Sequence, residues 1–242
     1  MILKHTLVAA AAALLAGAAQ ADVLTQWNFN SVTPDTSTST GSTLPSFGAG
    51  SAAAVGGTTA GFASGASNGG SSDPVAVDDT GWGITTFPTQ GTAEKTAGAF
   101  FLVSTLGWQD VSIGYDLRHS NTSAAHEVVQ ITLDGGLSFA DVAGFVGAAG
   151  DTWFNGRSVD LSSIAGADNN PLFGFRVVSG FGPGGAYVQS NAASSSYGSA
   201  GTWRFDMVTV SALAPVPEPG ALALALAGLG VLGGRAARRR AD

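Results

Sequence analysis

The chain of 242 residues contains no cysteine. Disulfides, thiolate nucleophiles and cysteine-bound zinc are therefore excluded, and any folded domain must be held by packing alone. Basic residues are nearly as scarce. Between Asp22 and Pro217 only Lys95, Arg118, Arg157, Arg176 and Arg204 stand against fifteen acids, a net charge of −10. No patch is available to neutralise phosphates, which excludes nucleic acid as a partner. The acidic balance suits an exported protein, or one that attracts divalent cations. Histidine is limited to three residues, and no His-Glu-x-x-His segment occurs. Short Gly-x-Gly pieces such as Gly81–Gly83 lack the strand–helix context that phosphate binding needs. No internal repeat is present.

What the chain does have is concentrated at its two ends. Lys4 opens a short positive segment, Leu7–Ala16 is an apolar run, and Ala19-Gln20-Ala21 is a small-x-small cleavage site before Asp22. That order reads as a removable signal peptide over residues 1–21. At the far end, Pro215, Pro217 and Pro219 each lack an N–H and push their predecessors towards extended geometry. The stretch is neither helix nor central strand. Ala221–Gly234 holds only Ala, Leu, Val and Gly, and Arg235, Arg238, Arg239 and Arg240 follow. At 1.5 Å per residue the apolar run is roughly 21 Å long, short of the ~30 Å hydrocarbon core. The arginines behind it mark a single transmembrane helix with a cytoplasmic tail, Arg235 and Arg238 snorkelling to the interface.

Taken in order, Val216-Pro217-Glu218-Pro219, the apolar span and Arg238–Arg240 resemble the PEP-CTERM sorting signal of secreted bacterial proteins. The resemblance implies an exosortase-type membrane protease that recognises the motif and removes the anchor. It also implies a secreted or cell-surface protein, transiently anchored in the inner membrane before processing.

Residues 22–213, between the signal peptide and the sorting segment 214–242, read as one β domain. An opening strand spans Val23–Asn30, with Thr25, Trp27 and Phe29 sharing a face. Residues 33–74 are rich in Ser, Thr, Gly and Ala and read as a long surface loop, with one weak strand around Ala52–Thr58. From Val75 the pattern is consistently β: Gly81–Phe87, Ala99–Val103, Gln109–His119, Glu127–Leu133, Trp153–Val159, Leu172–Val178 and Thr202–Val210. In Gln109–His119 the alternation puts Val111, Ile113, Tyr115 and Leu117 inward and Asp110, Ser112, Asp116 and Arg118 outward. Asp134-Gly135-Gly136 is a turn, after which Leu137–Phe139 restarts a strand. Only Leu161–Ala167 hints at a helical turn. The fold expected is all-β, an antiparallel two-sheet β-sandwich of eight or nine strands, with a jelly roll first. Trp27–Asn30, Asp116–Ser120, Asp134–Phe139 and Trp203–Val208 look like segments of the jelly-roll domains common in PEP-CTERM surface proteins. Those domains are similar in architecture to lectin-like and carbohydrate-binding sandwiches.

Candidate chemistry is sparse. His119 and His126, near Asp116 and Glu127, are expected at the solvated mouth of a hairpin; a metal or acid–base role there would need them to converge. Adjacent Asp78 and Asp79 read as solvated turn acids. Trp82, Trp108, Trp153, Phe154 and Tyr187 serve either as core or as a sugar-stacking platform. Pairing of the first and last strands would bring Asn28 or Asn30 near Asp206, an oxygen set suited to structural calcium. No catalytic residue and no other cofactor is assigned. The expected function is a non-enzymatic surface or exopolysaccharide-matrix protein. The alternatives are a carbohydrate-binding module and a polysaccharide-acting enzyme.

The cleavage geometry at Ala19 and Ala21 sets the mature N-terminus at Asp22. N-terminal sequencing of secreted protein should begin there, and a start displaced by more than a few residues rejects the assignment.

Overall fold

The computed structural model describes residues 21–214 apart from Ala76, Ala192, Ser194 and Ser195. The sorting motif, the apolar run, the arginine tail and the signal peptide before Ala21 lie outside the described residues. The chain forms β1 (Asp22–Trp27), β2 (Ser51–Val55), β3 (Thr59–Ser64), β4 (Thr80–Thr85), β5 (Gly98–Leu102) and β6 (Gln109–His119). It continues with β7 (His126–Thr132), β8 (Ala140–Val146), β9 (Thr152–Asp160), β10 (Gly174–Gly180) and β11 (Trp203–Leu213). All pairings are antiparallel. One sheet has the order β3-β4-β11-β6-β9, with β1 also on β11; the other runs β2-β5-β10-β7-β8. Stripped of β1, β2 and β3, the orders are β4-β11-β6-β9 facing β5-β10-β7-β8, the strand arrangement of a jelly roll. Among the described residues no helix is long and apolar enough to cross a membrane.

The last strand is the hub of the first sheet. Along one side β11 pairs with β6 over most of its length. Along the other it meets β4 from Trp203 to Phe205 and then β1 from Val208 to Ala212. The change of partner falls at Asp206 and Met207, where the ladder with β6 shifts register and Met207 takes φ 45°. A positive φ at a non-glycine residue in a strand marks a bulge, which bends the strand and interrupts its pairing.

Between the sheets the core is aromatic. Phe101 of β5 sits 4.9 Å from Phe175, 5.2 Å from Trp27, 6.1 Å from Phe205 and 6.2 Å from Trp82, ring centre to ring centre. Trp27, Phe101, Phe175, Trp203 and Phe205 are all fully buried. Buried aromatic pairs contribute beyond their burial, which in a chain without disulfides carries much of the stability. The strands anticipated from alternation are present, and β6 spans Gln109–His119 as expected.

Two expectations on the segment order need correction. Within residues 33–74 the weak strand expected around Ala52–Thr58 is present as β2, but a second strand, β3, follows it, and the two take the outer edge of each sheet. Their side chains are Ala, Gly, Ser, Thr, Val and one Phe, and edge pairing to β5 and β4 is through the backbone. Small residues leave no apolar periodicity to read. The strand restart at Leu137–Phe139 falls instead at Ala140. Asp134 Oδ1 accepts from the N–H groups of Leu137 and Ser138 and from the Thr132 hydroxyl, so the turn is carried three residues further.

Candidate metal centre

The outer face of the first sheet is not bare. Residues 65–79, between β3 and β4, cross it as a strap fixed to β6, β9 and β11 by hydrogen bonds. The Ser72 N–H donates to Asp116 Oδ2 at 2.6 Å and the Ser71 hydroxyl to Asp206 Oδ2 at 2.7 Å. From β9, Trp153 Nε1 donates to the Ser67 carbonyl and Asn155 Nδ2 to that of Gly70. The strap corrects the outward assignment of Asp116 and Arg118, which are 2% and 8% exposed. Alternation put them on the correct face, and the strap covers that face.

Asp206 lies directly opposite Asp116 in the β11–β6 ladder. Like charges in such a pair repel. Asp116 is stabilised by two backbone donors, Ser72 and Gly156. Asp206 has the Ser71 hydroxyl and the Met207 N–H, and it is completely buried. Around it the strap brings two more acids. Oxygens of Asp73, Asp79 and Asp206 all lie within 4.8 Å of one another. Asp79 is 8% exposed, and its Oδ1 has no hydrogen-bond partner. Asp73 is held by Asn30 Nδ2, which donates to its Oδ2 at 2.9 Å, and by the Val75 N–H on Oδ1.

The close approach depends on Gly65. A Cβ built there would fall 1.8 Å from Asp79 Oδ1 and 2.9 Å from Asp206 Oδ2, so these two oxygens flank the same bare α-carbon. None of the three acids forms an ion pair with a basic side chain among the described residues. Two unit charges about 5 Å apart repel by roughly 3 kcal/mol at an effective dielectric of about 20. Burial first, then the neighbouring carboxylates, push Asp206 up to about 8; burial, with Asp73, pushes Asp79 up to about 6. Three carboxylates with no counter-charge and one idle oxygen form a hard, oxygen-only donor set. Neither histidine nor any thiolate is among the donors, so the set favours calcium over zinc or copper.

The sequence anticipated part of this. β1 and β11 pair, as the calcium reading required. Asn30, however, meets Asp73 rather than Asp206, and its Oδ1 accepts from the Thr80 N–H. Asn28 instead lines a surface cavity of about 380 Å³ with Leu44, Val75 and Asp78. Asp78 and Asp79 are buried, not solvated turn acids. Asp73 was missed because it lies in a Ser/Gly stretch with no pattern of its own.

The histidine expectation is overturned more sharply. His119 and Glu127 are fully enclosed between the sheets instead of standing at a solvated hairpin mouth. Glu127 Oε1 accepts from Arg157 at 3.0 Å and lies 3.0 Å from His119 Nε2, while Oε2 accepts from the Tyr115 hydroxyl at 2.8 Å. Burial alone would raise the Glu127 carboxyl. The hydrogen bonds and charges of His119 and Arg157 outweigh it and hold the group below its ordinary range. His119 Nδ1 faces the Ala124 carbonyl, which also accepts from Trp203 Nε1. His126 is remote from this network and packs against Gly182. The two histidines do not converge.

The ring platform does not form from the residues named for it. Trp82, Trp153 and Tyr187 are buried, while Trp108 and Phe154 are half-buried. One further pattern in the strap, Gly65-Ala66-Ser67-Asn68-Gly69, has the spacing of a nucleophile elbow. It sits on a 3₁₀ turn rather than between strand and helix, and the positive φ falls on Asn68 rather than Ser67. It is a turn and not a catalytic elbow.

The comparisons fit the two parts of the chain separately. Residues 215–240 match the family model described as the PEP-CTERM protein-sorting motif. The chain therefore carries a PEP-CTERM sorting signal behind an antiparallel β-sandwich. Against curated proteins the sequence finds no match. Among solved structures, the CBM22-1–CBM22-2 tandem of Paenibacillus barcinonensis Xyn10C is similar at 12% identity and TM-score 0.47, over 83% of this chain and 49% of that one. The CBM22-1–GH10 modules of Clostridium thermocellum Xyn10B align at 11% identity and TM-score 0.42, over 69% and 27%. The K1 cleaved adhesin domain of Lys-gingipain from Porphyromonas gingivalis aligns at 12% identity and TM-score 0.37, over 70% and 100%. This chain thus spans less than half the length of the first two. At identities this low the likeness is one of fold.

The enclosed network at Glu127 makes a clear stability prediction. Glu127→Ala leaves Tyr115, His119 and Arg157 without their shared acceptor and should lower unfolding stability by about 3–5 kcal/mol. Urea unfolding of the variant against the parent measures it; a change within error removes the structural role.

Proposed function

We propose that the protein is an exported, non-enzymatic component of the cell surface or exopolysaccharide matrix, delivered through its C-terminal signal. The observation that carries this is the sorting motif matched at residues 215–240, directly behind a β-sandwich. Its processing partner is an exosortase-type membrane protease, with Val216, Pro217, Glu218 and Pro219 as the recognised segment. The apolar run holds that segment at the outer membrane–water boundary, and Arg235, Arg238, Arg239 and Arg240 stop translocation. A structural role is supported by where the titratable groups go. His119 and Glu127, the best acid–base pair in the sequence, have no surface from which to reach a substrate.

Polysaccharide binding is a second reading, and it has its own support on the outer face of the second sheet. Phe100, Arg176, Gln130 and Asp141 stand in register across β5, β10, β7 and β8. Phe139 packs edge-on to Phe100 at 5.8 Å and lies under the Arg176 guanidinium at 3.6 Å. Arg176 Nε donates to Gln130 at 2.6 Å, so the row is pre-positioned. Rings that stack on a sugar face, flanked by fixed donors and acceptors, suit a neutral glycan.

Two experiments separate the readings. Glu218→Ala should leave the sandwich folded and block sorting, so that precursor accumulates in the inner membrane with Arg238–Arg240 attached. Normal amounts of shortened, released protein from that variant would sink the delivery claim. Affinity electrophoresis through gels cast with neutral polysaccharides tests the second: retardation of the parent that Phe100→Ala with Arg176→Ala abolishes supports glycan binding. Equal mobility of both in every gel rejects it.

A further inference from the structure

We propose that Asp73, Asp79 and Asp206 bind one calcium ion, and that this ion fastens the strap of residues 65–79 across the sheet at the point where β11 changes partner. The donors come from three places. Asp206 is on β11 at the bulge, Asp79 immediately precedes β4, and Asp73 is in the middle of the strap. Their oxygens lie within 4.8 Å of one another, the spread given by oxygens about 2.3–2.6 Å from one central ion. The idle oxygen of Asp79 is the independent sign of a missing partner. It is buried, it has no donor, and it shares with Asp206 Oδ2 the space beside Gly65. A buried carboxylate oxygen without a donor is costly, and a native protein rarely leaves one so.

The surrounding bonds fix these acids without neutralising them. Ser71 donates its hydroxyl to Asp206 and accepts from the Asp73 N–H, and Asn30 donates to Asp73. All are neutral groups. They orient the carboxyl oxygens and supply no positive charge, which is left to a cation. The Thr80 N–H donates to Asn30 Oδ1, which ties the start of β4 to the segment that follows β1. Filling the site therefore joins the strap, both neighbours of β11 and the bulge.

The consequence for the chain concerns where it folds, and this part rests on the export reading above. A site of three carboxylates, one of them half-exposed, belongs with extracellular calcium modules, whose dissociation constants are about 10⁻⁴–10⁻³ M. Before export the site meets too little calcium to fill, and the strap is held by its hydrogen bonds alone. Outside the cell calcium supplies the counter-charge and closes it.

The test uses the full chain purified in mild detergent, with calcium chloride as the probe. Calorimetric titration should give one site per chain. At a hundredfold excess over the dissociation constant the Tm should rise by about 5–10 °C relative to chelator. Amide exchange should slow at Gly65, Ser72 and Thr80 and stay unchanged across β7 and β8. Asp206→Asn keeps the shape, with Oδ1 accepting from the Met207 N–H and Nδ2 donating to the Ser71 hydroxyl, and removes a carboxylate ligand. Its Tm in chelator should equal or exceed that of the parent, and its calcium response should vanish. A parent with no binding heat and a flat Tm across millimolar calcium overturns the site, as does an Asp206→Asn variant that responds like the parent. Magnesium giving the same shift at the same concentration overturns the calcium assignment. Because binding is measured on purified chain, its failure is separate from any failure of sorting, which the Glu218 variant reads.

Discussion

One strand has to serve three neighbours, and the rest of the molecule follows from how it does so. β11 keeps β6 along one side and gives half of the other to β4 and half to β1. A regular strand cannot change partner without leaving a gap in the ladder. The bulge at Asp206–Met207 makes that gap, and Met207 accepts an unfavourable φ to form it. With no disulfide anywhere, the closure between first and last strands depends on this junction and on the ring cluster around Phe101 beneath it.

The junction also explains the placement of charge. A strap of small polar residues lies over the outer face and turns a solvent-facing row into a buried one. Asp116 is compensated by backbone N–H groups from the strap and from β9. Asp206, opposite it, receives only two neutral donors and the company of two further acids. The donors around these acids are neutral, and no basic side chain among the described residues joins them, so carboxyl groups are concentrated at one place.

Burial of the tryptophans shifts attention to the other sheet. Trp27, Trp82 and Trp203 fill the interior, and Trp153 is closed over by Ser67 of the strap. On the face opposite the strap, half-buried Phe100 and Phe139 pack edge-on and Arg176 stacks over Phe139. Those residues stood in strands and a turn that were visible in the sequence. The pairing of Phe100 on β5 with Arg176 on β10 was not, because register between strands far apart in the chain is a tertiary property.

The sequence by itself determined the C-terminal sorting motif and most of the strands. A proline-spaced motif, an uncharged run and a basic tail are local chemistry, and so is the period-2 alternation of Gln109–His119. The jelly-roll class followed from the number and patterning of those strands. Only the tertiary structure decided which outward residues stay outward. Asp116 and Asp206 are buried because a strap rich in Ser and Gly folds over them, and small residues carry no periodic signal of where they will lie. For the same reason β2 was only faintly legible and β3 was hidden in a stretch that reads as loop. His119 and Glu127 were misjudged from the other direction. At the end of one strand and the start of the next they are adjacent in sequence to a turn, yet the two strands belong to opposite sheets, so the side chains meet in the space between them.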